Sequence, residues 1–182
     1  MSGRLFAVVG PSGAGKDTLL AGVCGPGGPH WVRRVITRPE SAGGEPFEGV
    51  SKAEFARREA AGDFALVWRA HGLAYGIPRD GLAPLAEGRD VLFNGSRAAM
   101  AESLAAFPDL CAIHITAPGP VLATRLAARG REAAEEVAAR LARGVVPFPP
   151  GLPVIEVGND ATPEMGIARL RAALQGRGAR WV

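Results

Sequence analysis

The feature that most constrains the fold is a glycine-rich segment near the N-terminus, GPSGAGK, which spans residues 10–16. It follows a short apolar run at 5–9 and precedes residues 16–23, whose apolar residues have helical spacing. A strand, a glycine-rich turn and a helix in this order are typical of a phosphate-binding loop (P-loop). The glycines let backbone N–H groups point inward, and the helix presents its unpaired N–H groups to the same anion. This beginning predicts an α/β fold.

Composition distinguishes this loop from an ordinary glycine-rich turn. The chain has 25 glycines in 182 residues, so spaced glycines alone would be weak support. Only two of the 21 basic residues are lysines, however, and the rest are arginines. A lysine in such a background indicates a position where the planar guanidinium does not fit. One of the two, Lys16, occupies the position from which a P-loop lysine reaches the β- and γ-phosphates of a nucleoside triphosphate.

The rest of the chain alternates between strand-like and helix-like segments. This alternation predicts βαβ units and the α/β P-loop fold, with a central, mostly parallel sheet flanked by helices. Ligands of such sheets bind at the carboxyl ends of the strands. Strands are predicted at 5–9, 32–36, 64–70, 74–77, 90–93, 110–115 and 154–157, and helices at 16–23, 51–60, 98–106, 121–128, 132–143 and 163–174.

Charge and composition argue against several classes of protein. The net charge of +3 comes from dispersed arginines without a basic block, which favours a small phosphorylated molecule over nucleic acid as partner. No apolar run approaches the roughly 18 residues of a membrane helix, and the first residues lack the pattern of a signal peptide. Cys24 and Cys111 are too far apart for a CxxC motif. We expect a cytoplasmic protein that binds neither nucleic acid nor membranes.

The residue after Lys16 departs from the usual P-loop pattern. A serine or threonine that holds Mg²⁺ is expected there, whereas this chain has Asp17, followed by Thr18. A carboxylate is a hard oxygen ligand that suits Mg²⁺. An acidic residue in the first turn of a helix also interacts favourably with the helix dipole, without any metal. We favour a magnesium role for Asp17, directly or through water.

Several later segments, together with the loop, resemble the guanylate kinase family. The similarity runs through TRP at 37–39, VS at 50–51 with Phe55, GDF at 62–64, YG at 75–76, RGR at 129–131 and ND at 159–160, and so covers nearly the whole chain. The half that would bind the acceptor does not match. Where guanylate kinases have a glutamate that reads guanine, this chain has Leu66, and Phe47 replaces a tyrosine that touches the GMP phosphate. GMP is therefore not the expected acceptor.

The segments KDT at 16–18, ITR at 36–38 and above all NGSR at 94–97 resemble the ribose 1,5-bisphosphate phosphokinases, which are relatives of guanylate kinases. That resemblance implies ATP and Mg²⁺, ribose 1,5-bisphosphate as the acceptor, and formation of 5-phosphoribosyl 1-diphosphate within phosphonate metabolism. It also implies one domain over 1–182, with an acceptor-binding insertion at about 33–80 and a mobile lid at about 125–145.

The motif and the resemblance together assign candidate site residues. The nucleotide-binding residues are Gly10, Pro11, Ser12, Gly13, Ala14, Gly15, Lys16, Asp17, Thr18 and Asn159. The catalytic residues are Lys16, Arg125, Arg129 and Arg131, and the metal ligand is Asp17. The substrate-binding residues are Arg38, Tyr75, Asn94, Ser96, Arg97 and Arg140. Arginine is the expected phosphate ligand because its fork pairs with two oxygens at once. The arginines of the lid could equally form a solvated helix face paired with nearby glutamates.

Other interpretations remain open from the sequence. Tyr75 could be a core residue, the Asn94-Gly95 pair an ordinary turn, and one of Arg33 and Arg34 mere surface charge. The three histidines, His30, His71 and His114, are expected to be structural or surface residues. Alternative functions are a guanylate or other nucleoside monophosphate kinase and an inactive guanylate-kinase-like binding module. The intact P-loop argues against the inactive module.

Overall fold

The computed structural model describes residues 2–42, 45–128, 146–176 and 180–181, and within these ranges strands and helices alternate. The strands are β1 (Leu5–Val9), β2 (His30–Trp31), β3 (Arg34–Ile36), β4 (Phe47–Gly49), β5 (Phe64–Ala70), β6 (Leu73–Pro78), β7 (Val91–Asn94), β8 (Cys111–Thr116), β9 (Val154–Gly158) and β10 (Arg180–Trp181). The α-helices are α1 (Lys16–Val23), α2 (Lys52–Ala60), α3 (Met100–Ala106), α4 (Gly119–Ala128) and α5 (Pro163–Leu174).

The larger sheet positions the P-loop. In the described part of the chain its six strands lie in the order β10-β9-β8-β1-β7-β2, and each pair is parallel except β10 with β9. β1 lies between β7 and β8, with Ala7 opposite Phe93 on one side and Ala112 on the other. The loop after β1 therefore leaves the carboxyl edge beside the ends of β7 and β8. The predicted mostly parallel sheet is confirmed.

Both faces of this sheet are covered, which explains the uninterrupted apolar run of β1. All five of its residues are buried. On one face Val8 lies in a core with Leu19 of α1 and Leu170 of α5. On the opposite face Ala7 lies in a core that includes Trp68 of β5. A fully buried leucine contributes about 1.5–3 kcal/mol, so packing on both sides fixes β1 and with it the start of the loop.

The segment 33–80 contains a separate sheet with the strand order β4-β3-β6-β5. β3 pairs with β4 in parallel and with β6 in antiparallel orientation, and β5 and β6 form an antiparallel hairpin. The hairpin turn consists of His71 and Gly72, whose φ angles are 53° and 73°, as a two-residue turn requires. The sequence pattern did not predict β4, and the strand predicted over 32–36 begins only at Arg34.

The helix boundaries follow from capping. At α2, Ser51 Oγ accepts a hydrogen bond of 3.1 Å from the backbone N–H of Glu54. At α5, Thr162 Oγ1 likewise accepts one of 3.4 Å from Met165. No side-chain hydrogen bond caps α1, which follows Gly15 in the left-handed conformation. Its first N–H groups therefore point toward the place where an anion binds. The predicted bounds of β1, α1, β5 and α5 are confirmed to the residue.

Several predicted features lie outside the described residues. They include the helix predicted over 132–143, most of the lid expected at about 125–145, and the candidate site residues Arg129, Arg131 and Arg140. Among the helices within the described ranges, none combines the length and the apolar character needed to cross a bilayer.

Candidate active site

The P-loop is folded as a cradle at the carboxyl end of β1. Gly13 and Gly15 have φ angles of 83° and 88°, in the left-handed region that glycine adopts without steric cost. Lys16 Nζ donates to the carbonyl oxygens of Gly10 at 2.9 Å and Pro11 at 3.1 Å. The ammonium group is thus held across the mouth of the loop, where the terminal phosphates of a nucleotide are bound.

The loop tolerates no side chain at two of its glycines. A Cβ at Gly10 would lie 2.4 Å from the carbonyl oxygen of Ile115, and one at Gly15 would lie 2.5 Å from Asn159 Nδ2. The second contact arises because Asn159 Nδ2 donates a 2.7 Å hydrogen bond to the carbonyl oxygen of Ala14. Asn159 is buried, at 4% exposure, and it therefore ties the loop to the end of β9.

Arg125 lies near the end of α4 and points toward the same loop. Its guanidinium donates to the carbonyl oxygens of Asn159 at 2.9 Å and Ala161 at 3.5 Å. A Cβ at Gly15 would lie 3.9 Å from an Arg125 nitrogen, so the guanidinium is close to the P-loop. Nearby, Asp160 accepts from Arg169 at 2.5 Å, and this hydrogen bond lowers the pKa of the Asp160 carboxyl.

A cavity of about 530 Å³ lies beside the loop. Its lining combines the P-loop with side chains from separate parts of the chain. The lining residues are Gly10, Pro11, Lys16, Arg34, Trp68, Ala70, His71, Tyr75, Gly95, Ser96, Arg97, His114, Thr116, Ala117 and Val146. Within the described ranges none of them is an aspartate or glutamate. This environment suits a polyanion, and it offers no carboxylate to read the edge of a purine.

An aromatic pair forms one wall of the cavity. The rings of Trp68 on β5 and Tyr75 on β6 are cross-strand neighbours, and they are stacked 5.3 Å apart with an angle of 3° between their planes. The Arg34 guanidinium lies over both rings, 5.1 Å from Tyr75 and 5.5 Å from Trp68. Leu66, at the position where guanylate kinases have their glutamate, is 7% exposed and belongs to the core that includes Trp68.

Arg34 is held by a polar network that joins the two sheets. Its guanidinium forms a buried ion pair with Glu45 and donates to the carbonyl oxygen of Asn94 at 2.9 Å. The Asn94 amide Nδ2 donates to Glu45 at 2.7 Å and to Asp17 Oδ1 at 2.9 Å. A buried ion pair with further hydrogen bonds has a well-defined geometry. The network therefore fixes Arg34 and Asp17 relative to each other.

Asp17 and its surroundings fit magnesium. In the part of the chain that the structure describes, no group of three or more His, Cys, Asp or Glu side chains could hold a metal. Mg²⁺ does not need such a group, because proteins bind it through one or two carboxylates while waters and substrate phosphate oxygens fill its other positions. The buried Asn94 Oδ1 also lacks a hydrogen-bond donor, and a water of a hydrated ion would supply one. Asp17 would hold the ion.

A second polar pair, formed by the Arg97 guanidinium and the His114 imidazole, lies where β7 and β8 end. The Arg97 guanidinium lies 4.4 Å from the centre of the Phe148 ring, and one of its nitrogens is 2.5 Å from His114 Nε2. Burial lowers the pKa of Arg97. Burial, Arg97 and Lys16 together lower the pKa of His114 to about 4, while Glu156 acts in the opposite direction. The imidazole is therefore neutral at physiological pH.

The sequence-predicted residues differ in their position relative to the cavity. Those that line the cavity are Gly10, Pro11, Lys16, Tyr75, Ser96 and Arg97. Asp17 and Asn94 lie behind this lining and Asn159 beneath the loop, while Ser12 and Thr18 are exposed. The guanidinium of Arg38 lies 4.4 Å from the centre of the Phe47 ring. Contacts of all these residues with ligands stay predictions.

Sequence reasoning missed several residues of the cavity, namely Arg34, Trp68, His71 and His114. The sequence predicts structural or surface roles for His71 and His114, whereas the structure places both in the lining of the cavity. One signal was available for His114: it faces opposite to the buried Ile113 and Ile115 at the carboxyl end of a strand next to β1. No comparable signal separates Arg34 from Arg33, whose exposed side chain pairs with Glu40 at 2.9 Å.

The sheet order and the P-loop define an α/β P-loop fold of the guanylate kinase type. A crystal structure of guanylate kinase from Anaplasma phagocytophilum has the same fold, with a TM-score of 0.69 over 96% of this chain and 86% of that one, at 18% identity. No protein-family model matches the chain.

Curated relatives define the family. A protein from Rhizobium etli named ribose 1,5-bisphosphate phosphokinase PhnN is 46% identical over 178 residues, which are 96% of this chain and 90% of that protein. A bifunctional ribose 1,5-bisphosphokinase-thymidine phosphorylase from Cupriavidus necator is 49% identical over 96% of this chain. The chain spans only 29% of the length of that bifunctional relative. This chain belongs to the ribose 1,5-bisphosphate phosphokinase family, as the sequence motifs indicated.

Proposed function

We propose that the chain transfers the γ-phosphoryl group of ATP to the 1-phosphate of ribose 1,5-bisphosphate, which gives 5-phosphoribosyl 1-diphosphate and ADP. One observation carries the proposal beyond family membership. The cavity beside the P-loop is lined by cationic and aromatic side chains, and no carboxylate is among its described lining residues. A sugar with two phosphates and no base suits a cavity with such a lining. The similar protein from Rhizobium etli is named a phosphokinase of ribose 1,5-bisphosphate.

The residues of the P-loop would bind the triphosphate. The N–H groups at 13–16 surround the phosphate oxygens, and Lys16 exchanges its bonds to the carbonyl oxygens of Gly10 and Pro11 for bonds to the terminal phosphates. Asp17 would hold Mg²⁺, which when bound neutralises charge on the triphosphate. Asn94 keeps Asp17 oriented through its 2.9 Å hydrogen bond. Arg125 is close enough to the loop to contribute a further positive charge.

On the acceptor side, Arg97 and Ser96 would bind phosphate and hydroxyl groups, while the Trp68–Tyr75 stack would support the apolar face of the ribose ring. An oxygen of the 1-phosphate attacks the γ-phosphorus, and the bond from that phosphorus to the bridging oxygen of ADP breaks. The attacking oxygen is already ionised at neutral pH, so the step needs no strong general base. Catalysis then comes from alignment and charge neutralisation. Arg38, Arg129, Arg131 and Arg140 remain predicted contributors.

The experiment that tests the proposal is an incubation with Mg·ATP and ribose 1,5-bisphosphate, followed by ³¹P NMR. We expect the signals of a new diphosphate ester to grow in step with those of ADP. GMP serves as the control acceptor, and Lys16→Met as the control variant. Transfer to GMP in the absence of transfer to the sugar would contradict the proposal. A cytoplasmic location, expected from the sequence, is part of the same proposal.

A further inference from the structure

His114 lines the cavity, but the proposed reaction gives it no role. It lies in β8, and its ring packs edge-on against Phe148 with 5.6 Å between ring centres. Its Nε2 atom is 2.5 Å from a guanidinium nitrogen of Arg97. Guanidinium nitrogens only donate hydrogen bonds, so in this contact Nε2 accepts and carries no proton. The site without substrate therefore contains a neutral imidazole beside Arg97.

The charges that face His114 from the surrounding elements are mostly positive. Arg97 follows β7, Lys16 follows β1, and both lower the pKa of the imidazole, as does burial. Arg34 lines the same cavity from the second sheet, where its charge is paired with Glu45. On the other side, the exposed Glu156 occupies the neighbouring position on β9 and favours the protonated form. His71 and Tyr75 are the remaining titratable groups among the described lining residues.

A phosphate dianion bound in this cavity would oppose the positive charges that lower the pKa of His114. The dianion attracts the Arg97 guanidinium, which can then donate its hydrogen bond to a phosphate oxygen instead of to His114 Nε2. It also favours the charged form of any group beside it, because an opposite charge within a few ångströms stabilises the ionised state. Protonation turns Nε2 from an acceptor into a donor, so one added proton exchanges the Arg97 contact for a hydrogen bond to the anion.

We propose that His114 is a phosphate-binding residue of the acceptor site and takes up one proton at Nε2 when the acceptor phosphate binds between it and Arg97. The inference rests on the proposed function, since it identifies the acceptor as a sugar phosphate. No covalent bond changes. The proton comes from solvent or from the monoanionic form of the phosphate, and it returns when the product leaves. His114 thus makes acceptor binding stronger as the pH falls toward 6.

A purely structural role for His114, as the acceptor that holds Arg97, predicts a different outcome. Glutamine at this position can accept from Arg97 or donate to a phosphate, but it does not titrate. If His114 only positions Arg97, the His114→Gln variant would bind the acceptor as tightly as the wild type does at every pH. If His114 takes up a proton, His114→Gln would bind the acceptor with a flatter pH dependence and without the extra proton.

The test is isothermal titration calorimetry of ribose 1,5-bisphosphate in pairs of buffers with different ionisation enthalpies, at pH 6.5 and pH 8.5. At pH 6.5 we expect the wild type to take up about 0.9 proton per site in excess of His114→Gln, and we expect this excess to fall to about a tenth of a proton at pH 8.5. The wild type should bind about tenfold more tightly than the variant at the lower pH, with the two converging at the higher one.

His30→Gln is the matched control. The pKa of His30 is also lowered by burial and by Arg89, but His30 lies on β2 and does not line this cavity, so this variant should behave as the wild type. His114→Asn provides a second non-titrating side chain in case glutamine disturbs folding. Equal proton uptake by wild type and both His114 variants, with binding intact, would overturn the role of His114 alone. Failure of the wild type to bind the sugar at all would overturn the proposed function as well.

Discussion

The two halves of the candidate site are built in different ways. The nucleotide half is formed mainly by one contiguous segment, 10–16, whose geometry is set largely by its own glycines and by the strand and helix on either side. The acceptor half is assembled from separate elements: β3, the β5–β6 hairpin, the turn after β7, and β8. Local sequence therefore specifies the first half, whereas the second depends on how two sheets pack. Mutations in the two halves should consequently affect different kinetic constants.

The largest expected effect is in the nucleotide half. Lys16→Met should lower kcat by about a thousandfold or more, because it removes the charge that the loop holds against the terminal phosphates. Lys16→Arg should recover little of this loss, since the planar fork does not fit where the ammonium contacts the carbonyl oxygens of Gly10 and Pro11. Steady-state rates at saturating ATP and acceptor give the kcat values of both variants.

Lys52→Met is the control for this comparison, because it removes the other lysine of the chain from an exposed position on α2. It should leave kcat unchanged. A Lys16→Met enzyme that turns over at more than a tenth of the wild-type rate would show that the loop is not the catalytic cradle described above.

The next largest effect should be confined to the acceptor half. Trp68→Ala removes a buried ring from the core and from the Tyr75 stack, which leaves Arg34 without one of its two aromatic supports. We expect a loss of about 3–5 kcal/mol in the free energy of unfolding and a rise in the KM of the acceptor, with the KM of ATP unchanged. Denaturant unfolding and steady-state kinetics measure the two effects.

Trp68→Phe is the matched variant, since it keeps an aromatic ring against Tyr75. It should recover most of the acceptor affinity. If Trp68→Ala instead raised the KM of ATP and left that of the acceptor unchanged, the assignment of the aromatic wall to the acceptor half would be wrong.

Asp17 lies between the two halves, and its replacement should change the metal requirement. Asp17→Asn keeps a side chain of the same shape, whose oxygen can still accept the hydrogen bond from the Asn94 amide. It removes the charge that would hold Mg²⁺. The Mg²⁺ concentration that gives half-maximal activity should rise about tenfold. Asp109→Asn, at an exposed position after α3, is the control and should have no effect. An unchanged Mg²⁺ dependence in Asp17→Asn would contradict the magnesium role and leave the carboxylate with its Asn94 hydrogen bond and its interaction with the helix dipole.

The smallest of these effects concerns the support of the loop from below. Asn159→Ala deletes the 2.7 Å hydrogen bond to the carbonyl oxygen of Ala14 and leaves that acceptor without its donor. The free energy of unfolding should fall by about 1–3 kcal/mol, and the KM of ATP should rise a few-fold while that of the acceptor stays constant. Thermal unfolding and KM values test this. A change in acceptor KM alone would place Asn159 in the other half.

The sequence predicted the nucleotide half well for a physical reason. A strand buried on both faces, a glycine-rich turn and an amphipathic helix are each encoded locally, so β1, the loop and α1 could be bounded correctly. The acceptor half could not be predicted in the same way. Whether Arg34 or Arg33 is buried depends on Glu45, which precedes β4, and on Asn94, which is 60 residues away from Arg34 in the chain.

The replacement of the guanylate kinase glutamate by Leu66 was nevertheless visible in the sequence. Leu66 replaces the glutamate that guanylate kinases use, and the structure adds that this leucine is packed in the core beneath Trp68. The lining of the cavity was visible in the sequence only in part. Ser96 and Arg97 could be identified from their motif, whereas Trp68 and His114 required the pairing of strands within each sheet.

The central claim is that the acceptor half selects a sugar phosphate over a purine nucleotide, and the ratio of kcat/KM for ribose 1,5-bisphosphate to that for GMP, at saturating Mg·ATP, tests it most directly. A site whose described lining residues include no carboxylate to read guanine should favour the sugar by about a hundredfold or more. A ratio near one, or one that favours GMP, would contradict the account.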